Sequence, residues 1–201
     1  MAITLRTDRN LLVSAVTRSG KTTWICAAGT LAADAIGKDR VKAVNPRREP
    51  LVTAWAADLG IECIVPDLDA RGRLPGNLSR KLREWYSRGN VLVVCDEIQM
   101  VAKIQDPDPA WRYWFSAGNG RGCAVWGTTT VAAMLPGDAV TQSVQMVSFR
   151  QTDLTTLRKF QQRSPELAAW VSKLQPYEWV YHELGSPPVK MAPIPWEGIE
   201  L

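Results

Sequence analysis

The sequence predicts an α/β fold: a mostly parallel central sheet with helices on its faces. Three observations lead there. Short apolar runs alternate with longer helix-like segments, as parallel strands joined by crossover helices require. The run Val91-Leu92-Val93-Val94-Cys95 is apolar throughout rather than alternating, the pattern of a strand buried on both faces. The first apolar run passes through a short turn containing Gly20 straight into a helix, the strand-to-helix step on which such sheets are wound.

Taken in order, residues 10–15 (NLLVSA) read as a short buried strand and Lys21–Ile36 as a helix ended by Gly37. Val41–Val44 is a strand halted by Asn45-Pro46, and Pro50–Leu59 a helix with Gly60 as its stop. Residues 61–65 make the next strand. Residues 77–87 form a polar helix with Leu78, Leu82 and Trp85 on one face, Asn77 as N-cap and Gly89 as terminator. The apolar strand at 91–95 follows, then a polar break at 104–109 (IQDPDP). A tryptophan-rich helix, Ala110–Ala117, leads through a glycine-rich turn to a strand at 123–127, and Gln145–Phe149 is a further core strand. Two short helices at 152–160 and 165–174 precede a hairpin, 178–183 with 189–192, around Gly185-Ser186-Pro187-Pro188. No internal repeat or low-complexity tract is present. The 201 residues suit a single domain with its core at about residues 10–183.

Composition removes several classes. Lys and Arg number 24 against 20 Asp and Glu, a formal charge of +4, and 46% of residues are apolar, which excludes a disordered chain and a collagen. Cys26, Cys63, Cys95 and Cys123 form no C-x-x-C pair, and the single histidine is His182, so the chain is neither a disulfide scaffold nor a zinc module; the cysteines read as small buried thiols. No apolar run reaches the length of about 18 residues that a membrane span needs. The best, residues 24–36, contains Asp34. The N-terminus has no apolar signal core, so the chain is expected to stay where it is made. Nine tryptophans are expected as core or interface anchors. Between Asp69 and Gly89, Arg71, Arg73, Arg80, Lys81, Arg83 and Arg88 face Glu84 alone. Such a block is either a solvated helix face or a phosphate-binding surface.

The strongest motif is Ala15-Val16-Thr17-Arg18-Ser19-Gly20-Lys21-Thr22, which fits the phosphate loop G-x-x-x-x-G-K-[ST] with Ala in place of the first Gly. Its context is right, with an apolar strand before it and a helix opening inside it. In such a loop successive backbone N–H groups and the helix N-terminus wrap an anionic phosphate. Thr17, Arg18, Ser19, Gly20, Lys21, Thr22 and Thr23 are therefore the nucleotide-binding set. Lys21 reaches the β- and γ-phosphates of ATP, and the Thr22 hydroxyl ligates Mg²⁺.

Asp96 and Glu97, at the end of the apolar strand, form the second motif. A buried strand delivers Asp96 beside the phosphate loop, where it holds the magnesium through water. Glu97 is placed to polarise an attacking water, and this second carboxylate favours hydrolysis. Gln99 extends the pattern to D-E-x-Q, which some nucleoside kinases also carry. The third motif is Gly118-Asn119-Gly120-Arg121-Gly122, a strand, and Thr128-Thr129-Thr130. If that strand lies between the other two motif strands, Thr128 and Thr129 come near the γ-phosphate and can sense hydrolysis. Arg121, on a loop of glycines with little to pack against, is expected to reach a neighbour's γ-phosphate as a trans finger; Arg112 is the rival.

In this order, on a chain this small, the three motifs resemble the FtsK/HerA superfamily of P-loop ATPases. More narrowly they resemble the genome-packaging ATPases of membrane-containing icosahedral viruses with double-jelly-roll capsids. The resemblance covers residues 10–183 and includes Met134-Leu135-Pro136 and Arg150 after the strand at 143–149. Where that family carries Thr-Gln at the sensor strand end, this chain has Thr128-Thr129-Thr130, and for R-H-x-G it has G-N-G-R-G. The resemblance implies a RecA-like P-loop domain with an additional central strand and a ring-shaped homo-oligomer at a capsid vertex. It also implies double-stranded DNA threaded through the ring, capsid vertex proteins as partners, and a location in the host cytoplasm and the virion without membrane insertion of its own. With no room for a separate DNA-recognition domain, the segments at 69–89 and 104–109 are the candidate pore loops. The alternatives are a filamentous-phage assembly or export ATPase, a P-loop nucleoside or small-molecule kinase, and a module that binds nucleotide without turnover.

Overall fold

The computed structural model describes residues 3–68, 76–102 and 110–193, and the backbone of 199–200. The elements are β1 (Ile3–Thr4), β2 (Leu11–Ser14), α1 (Lys21–Ile36), β3 (Val41–Val44), α2 (Pro50–Leu59), β4 (Glu62–Ile64), α3 (Gly76–Arg88), β5 (Leu92–Cys95), α4 (Ala110–Ala117), β6 (Ala124–Thr129), α5 (Gly137–Thr141), β7 (Gln145–Phe149), α6 (Leu154–Arg163), α7 (Pro165–Val171), β8 (Trp179–Glu183), β9 (Val189–Met191) and β10 (Ile199–Glu200). Eight strands form one sheet in the order β4, β3, β5, β6, β2, β7, β8, β9. The six from β4 to β7 are parallel, and β8 and β9 close the sheet as an antiparallel hairpin. β4 and β9, three residues each, are its edges.

The continuous apolar runs buried on both sides make this sheet a partition between two cores. Leu11, Val13, Leu92 and Val94 point to the face covered by α1 and α2, with Trp24, Trp55 and Trp126. Leu12, Val93 and Cys95 point to the other, with Leu82, Trp85, Trp114 and Phe160. The helix pair α1–α2 approaches so closely that a Cβ on Gly29 would stand 2.6 Å from the Trp55 ring, so only glycine fits there. Trp24, Trp85, Trp114 and Trp126 are fully buried, as anchors should be, whereas Trp170 is partly exposed.

Most sequence-predicted elements stand within a residue or two. The differences have local causes. Asn77 lies inside α3 rather than capping it, because the helix starts at Gly76; its Oδ1 accepts from the Leu78 N–H at 2.8 Å. The helix expected at 152–160 runs to Arg163, capped by Asp153, whose side chain accepts from the Thr156 N–H. The helix at 165–174 ends at Val171. The strand at 123–127 extends to Thr129, which draws Thr128 and Thr129 into the sheet. The two-residue ladder β1–β10 and the short α5 carry no periodicity and were not expected. Cys26, Cys95 and Cys123 are buried and Cys63 half-buried; burial pushes the Cys26 thiol up to about 12. Arg71, Arg73 and the candidate pore loop at 104–109 lie outside the described residues.

Candidate functional site

β6 lies between β5 and β2, the position its threonines needed. The register aligns Ser14 with Thr129, Val13 with Thr128 and Cys95 with Gly127. The C-terminal ends of the three motif strands therefore meet at one edge, and the loops leaving them share one cleft, where ligands bind in parallel α/β sheets. The Ala15 N–H donates to the Thr129 carbonyl at 3.0 Å and fixes the entry of the phosphate loop. The backbone turns left-handed at Arg18 and at Gly20, which ends the loop at φ 90° with α1 opening at Lys21. Such alternation aims successive N–H groups into one concavity. The Ser19 hydroxyl is buried with no hydrogen-bond partner among the described residues. A phosphate oxygen in the concavity would satisfy it. Thr17 and Arg18 are exposed on the loop's crown, and Thr23 is exposed on the first turn of α1.

Inside the cleft the charges are already arranged. Lys21 Nζ stands 2.7 Å from Glu97 Oε1, and the two side chains are 7% and 2% exposed. Arg47 Nη1 lies 3.5 Å from the same oxygen. The Gln99 amide and, at 3.4 Å, the Thr130 hydroxyl donate to Glu97 Oε2; Gln99 also donates to Thr130 at 3.1 Å. Burial pushes the Glu97 carboxyl up, but Lys21, Gln99 and Arg47 together outweigh it and hold the group below its ordinary value. Glu97 is thus an ionised, fully partnered carboxylate. Its backbone is left-handed, at φ 51°, and its N–H donates to the Thr128 hydroxyl at 2.8 Å.

Asp96 is the opposite case. Burial raises its pKa above the ordinary value, and the nearby Glu97 charge adds to this. Its Oδ1 accepts from the hydroxyls of Thr128 at 2.7 Å and Thr22 at 3.2 Å. A buried carboxylate facing a hydroxyl of α1's first turn is an all-oxygen donor set, which suits a hard cation such as Mg²⁺. Among the described residues no group of three His, Cys, Asp or Glu gathers to hold a metal. A cation here would take its remaining ligands from phosphate and water, as Mg²⁺ usually does.

The three threonines have separate tasks: Thr128 bonds Asp96, Thr130 bonds Glu97, and the Thr129 carbonyl tethers the loop. Arg47 escaped the sequence reading. Its signal was position: it follows the strand that pairs with β5, so it emerges beside Asp96 and Glu97.

Arg121 is not brought to this cleft. It precedes β6, at the opposite end of that strand from Thr128, roughly 20 Å away at an extended rise. Nor is it short of partners. Its guanidinium donates to the carbonyls of Tyr86 at 3.0 Å and Ser87 at 2.7 Å and lies over the Tyr86 ring. The expectation of an arginine with little to pack against in its own subunit is thereby corrected: it caps the last carbonyls of α3, the polar end of the helix dipole. Arg121→Ala is accordingly expected to lower stability by roughly 1 kcal/mol, measured by denaturant unfolding. Arg112 is exposed on α4 with no ion pair among the described residues.

No family model matches the sequence, and no curated protein sequence does either. Solved structures do. The genome-packaging NTPase B204 of Sulfolobus turreted icosahedral virus 2, in complex with ATPγS, superposes with a TM-score of 0.76 at 17% identity, over 94% of this chain and 100% of that one. The N-terminal domain of zonular occludens toxin from Neisseria meningitidis gives 0.52 at 12% identity, over 92% and 95%. The cytoplasmic domain of the type VII secretion ATPase EccC from Thermomonospora curvata gives 0.64 at 10% identity; 92% of this chain covers 23% of that one. At these identities the likeness is one of fold: this chain shares the α/β P-loop NTPase fold of these structures.

Proposed function

We propose that the protein hydrolyses ATP with Mg²⁺ and uses the energy to move double-stranded DNA, as a motor that packages a viral genome. The observation that carries this reading is the second carboxylate. Asp96 and Thr22 would hold a metal together with phosphate and water; Glu97, ionised and one residue on, is the group that would take a proton from water. Bound Mg²⁺ would neutralise charge that develops on the phosphates. The chain's own residues do the rest. The loop from Thr17 to Thr23 orients the triphosphate, Lys21 leaves Glu97 for the γ-phosphate, and the freed Glu97 orients the attacking water. Thr128 links the metal-side carboxylate to the backbone of Glu97, so the two respond together.

The reading includes a ring of identical subunits, DNA in its channel and capsid vertex proteins as its dock, in the host cytoplasm and the virion. Among the described residues no helix is long and apolar enough to cross a membrane. Arg112, or Arg121 once it leaves the carbonyls of Tyr86 and Ser87, supplies the trans finger. Mixing inactive Lys21→Ala with inactive Arg121→Ala should restore part of the activity, because some interfaces then pair an intact loop with an intact finger. Rescue of Arg112→Ala instead would move the finger there.

The cationic block at 69–89 is partly spent within the chain. Lys81 pairs with Glu62 and Glu84, and Arg88 pairs with Glu84. Arg80 is exposed, Arg71 and Arg73 lie outside the described residues, and these three are the proposed phosphate contacts. Phosphate release by the purified protein is expected to rise with double-stranded DNA of any sequence. Affinity should fall steeply with salt, and neutralising Arg71, Arg73 and Arg80 should flatten that slope by about 0.9 for each DNA phosphate left without its arginine. Release indifferent to DNA would refute the motor.

A further inference from the structure

The phosphate loop fixes where a triphosphate sits, and the cleft on its β5–β6 side is filled by Asp96, Glu97, Gln99 and the threonines. The flank toward β7 and β8 is open. There a cavity of about 280 Å³ is lined by Ser19, Gly20 and Thr23 of the loop and α1, and by Phe149, Tyr177 and Pro193. Phe149, at the end of β7, is its buried floor. Tyr177 hangs over it with 59% of its surface exposed, and a Cβ on Gly20 would stand 3.7 Å from its ring.

The backbone of Tyr177 is the unusual feature. Residues 175–178 form a tight turn in which the Glu178 N–H donates to the Gln175 carbonyl at 3.1 Å. Pro176 takes the second position and Tyr177 the third, with φ 64°. A turn with a left-handed third residue calls for Gly or Asn, and a bulky aromatic side chain there is strained. The turn is locked nonetheless. Glu178 accepts from the Gln175 N–H at 2.8 Å and pairs with Lys190 at 2.9 Å. The sequence thus holds an exposed aromatic ring, at a conformational cost, against the phosphate loop rather than in the core. Such outliers gather at ligand sites.

We infer that this slot takes the nucleobase of the bound nucleotide by stacking on Tyr177, with Pro193 and Phe149 as its other walls, and that it does not read the base's edge. Among the described residues no amide, carboxylate or guanidinium lines it; the only side-chain polar groups are the hydroxyls of Ser19, Thr23 and Tyr177. Stacking is tolerant of base identity. Sites without edge partners discriminate weakly, whereas those that hydrogen-bond an edge reject the wrong analogue by large factors. The natural substrates are then nucleoside triphosphates as a class, with little regard to the base. This rests on the phosphate-loop reading above, and the test separates the two.

The experiment compares ATP, GTP and inorganic tripolyphosphate on the whole protein, wild type and Tyr177 variants. Wild type should bind ATP and GTP within about fivefold of one another. Tyr177→Ala should raise KM for both about tenfold, leave kcat within about twofold, and leave tripolyphosphate affinity unchanged, while Tyr177→Trp keeps nucleotide affinity. Tyr177→Gly controls for folding: it suits the left-handed backbone, so it should keep its Tm yet lose nucleotide affinity like Tyr177→Ala. Unchanged KM in Tyr177→Ala, or GTP rejected by about a hundredfold or more, overturns the slot while tripolyphosphate binding still upholds the phosphate loop. A wild type that binds neither nucleotide nor tripolyphosphate overturns both.

Discussion

Glu97→Gln protein is expected to bind ATP at least as tightly as wild type and to hydrolyse it about 10² to 10⁴ times more slowly, the usual cost of losing a general base. Both halves follow from one contact. Without nucleotide, Glu97 holds Lys21 at 2.7 Å, so the carboxylate competes with the γ-phosphate for the same ammonium. Glutamine keeps the shape and the hydrogen bond to Thr130 but surrenders the charge, so Lys21 is released to phosphate at no electrostatic cost while the proton acceptor is gone. Asp96→Asn should behave otherwise, weakening magnesium-dependent binding. Because burial raises the Asp96 pKa, its competence to hold a cation should itself grow as pH rises through that raised value. Equilibrium binding and single-turnover hydrolysis separate these cases. Normal turnover by Glu97→Gln together with its loss in Asp96→Asn would reverse the roles of the pair.

Lys21→Ala should abolish ATP binding and turnover, and it should also cost stability. The sequence alone suggests a mutant with an intact fold, since phosphate-loop lysines point at ligand. The structure instead places Lys21 in a buried ion pair. Removing one partner of such a pair costs about 3–5 kcal/mol, because the remaining charge is left uncompensated. Arg47 at 3.5 Å and half-exposed offsets only part of this. Glu97 would then face burial with less help, so its folded pKa should rise above its unfolded one. The sign follows: the loss is smallest below the unfolded value, where Glu97 is protonated in both states, and grows as pH rises past it. Combining Lys21→Ala with Glu97→Gln should recover much of the stability and none of the hydrolysis. Denaturant unfolding at pH 5 and pH 8 with phosphate-release assays checks this, and near-normal hydrolysis by a folded Lys21→Ala would remove the phosphate-loop assignment.

The sequence was most legible where local chemistry decides the structure. The apolar runs predicted the sheet, Gly60 and Gly89 ended their helices, and the strand-loop-helix context of Lys21 located the cleft. Strand order was legible only through a functional argument, the need for the threonines to reach a phosphate between the other two motif strands. What failed were long-range partnerships. Nothing near Arg121 in sequence signals that Tyr86 and Ser87, more than thirty positions earlier, end a helix beneath it. Arg47 and Tyr177 enter the cleft through sheet order and a strained turn, neither of which periodicity can report.

The sheet's two margins bear on how copies of the chain can meet. A long, flat outer strand offers unpaired backbone groups to any passing chain, and pairing there is hard to reverse. Here both margins are three residues long, and each carries a charged side chain that is tied down, Glu62 by Lys81 and Lys190 by Glu178. Neither invites a continuous intermolecular ladder. In the proposed ring, association between copies would then fall to side-chain surfaces and loops, contacts that can be made and broken as subunits shift against one another.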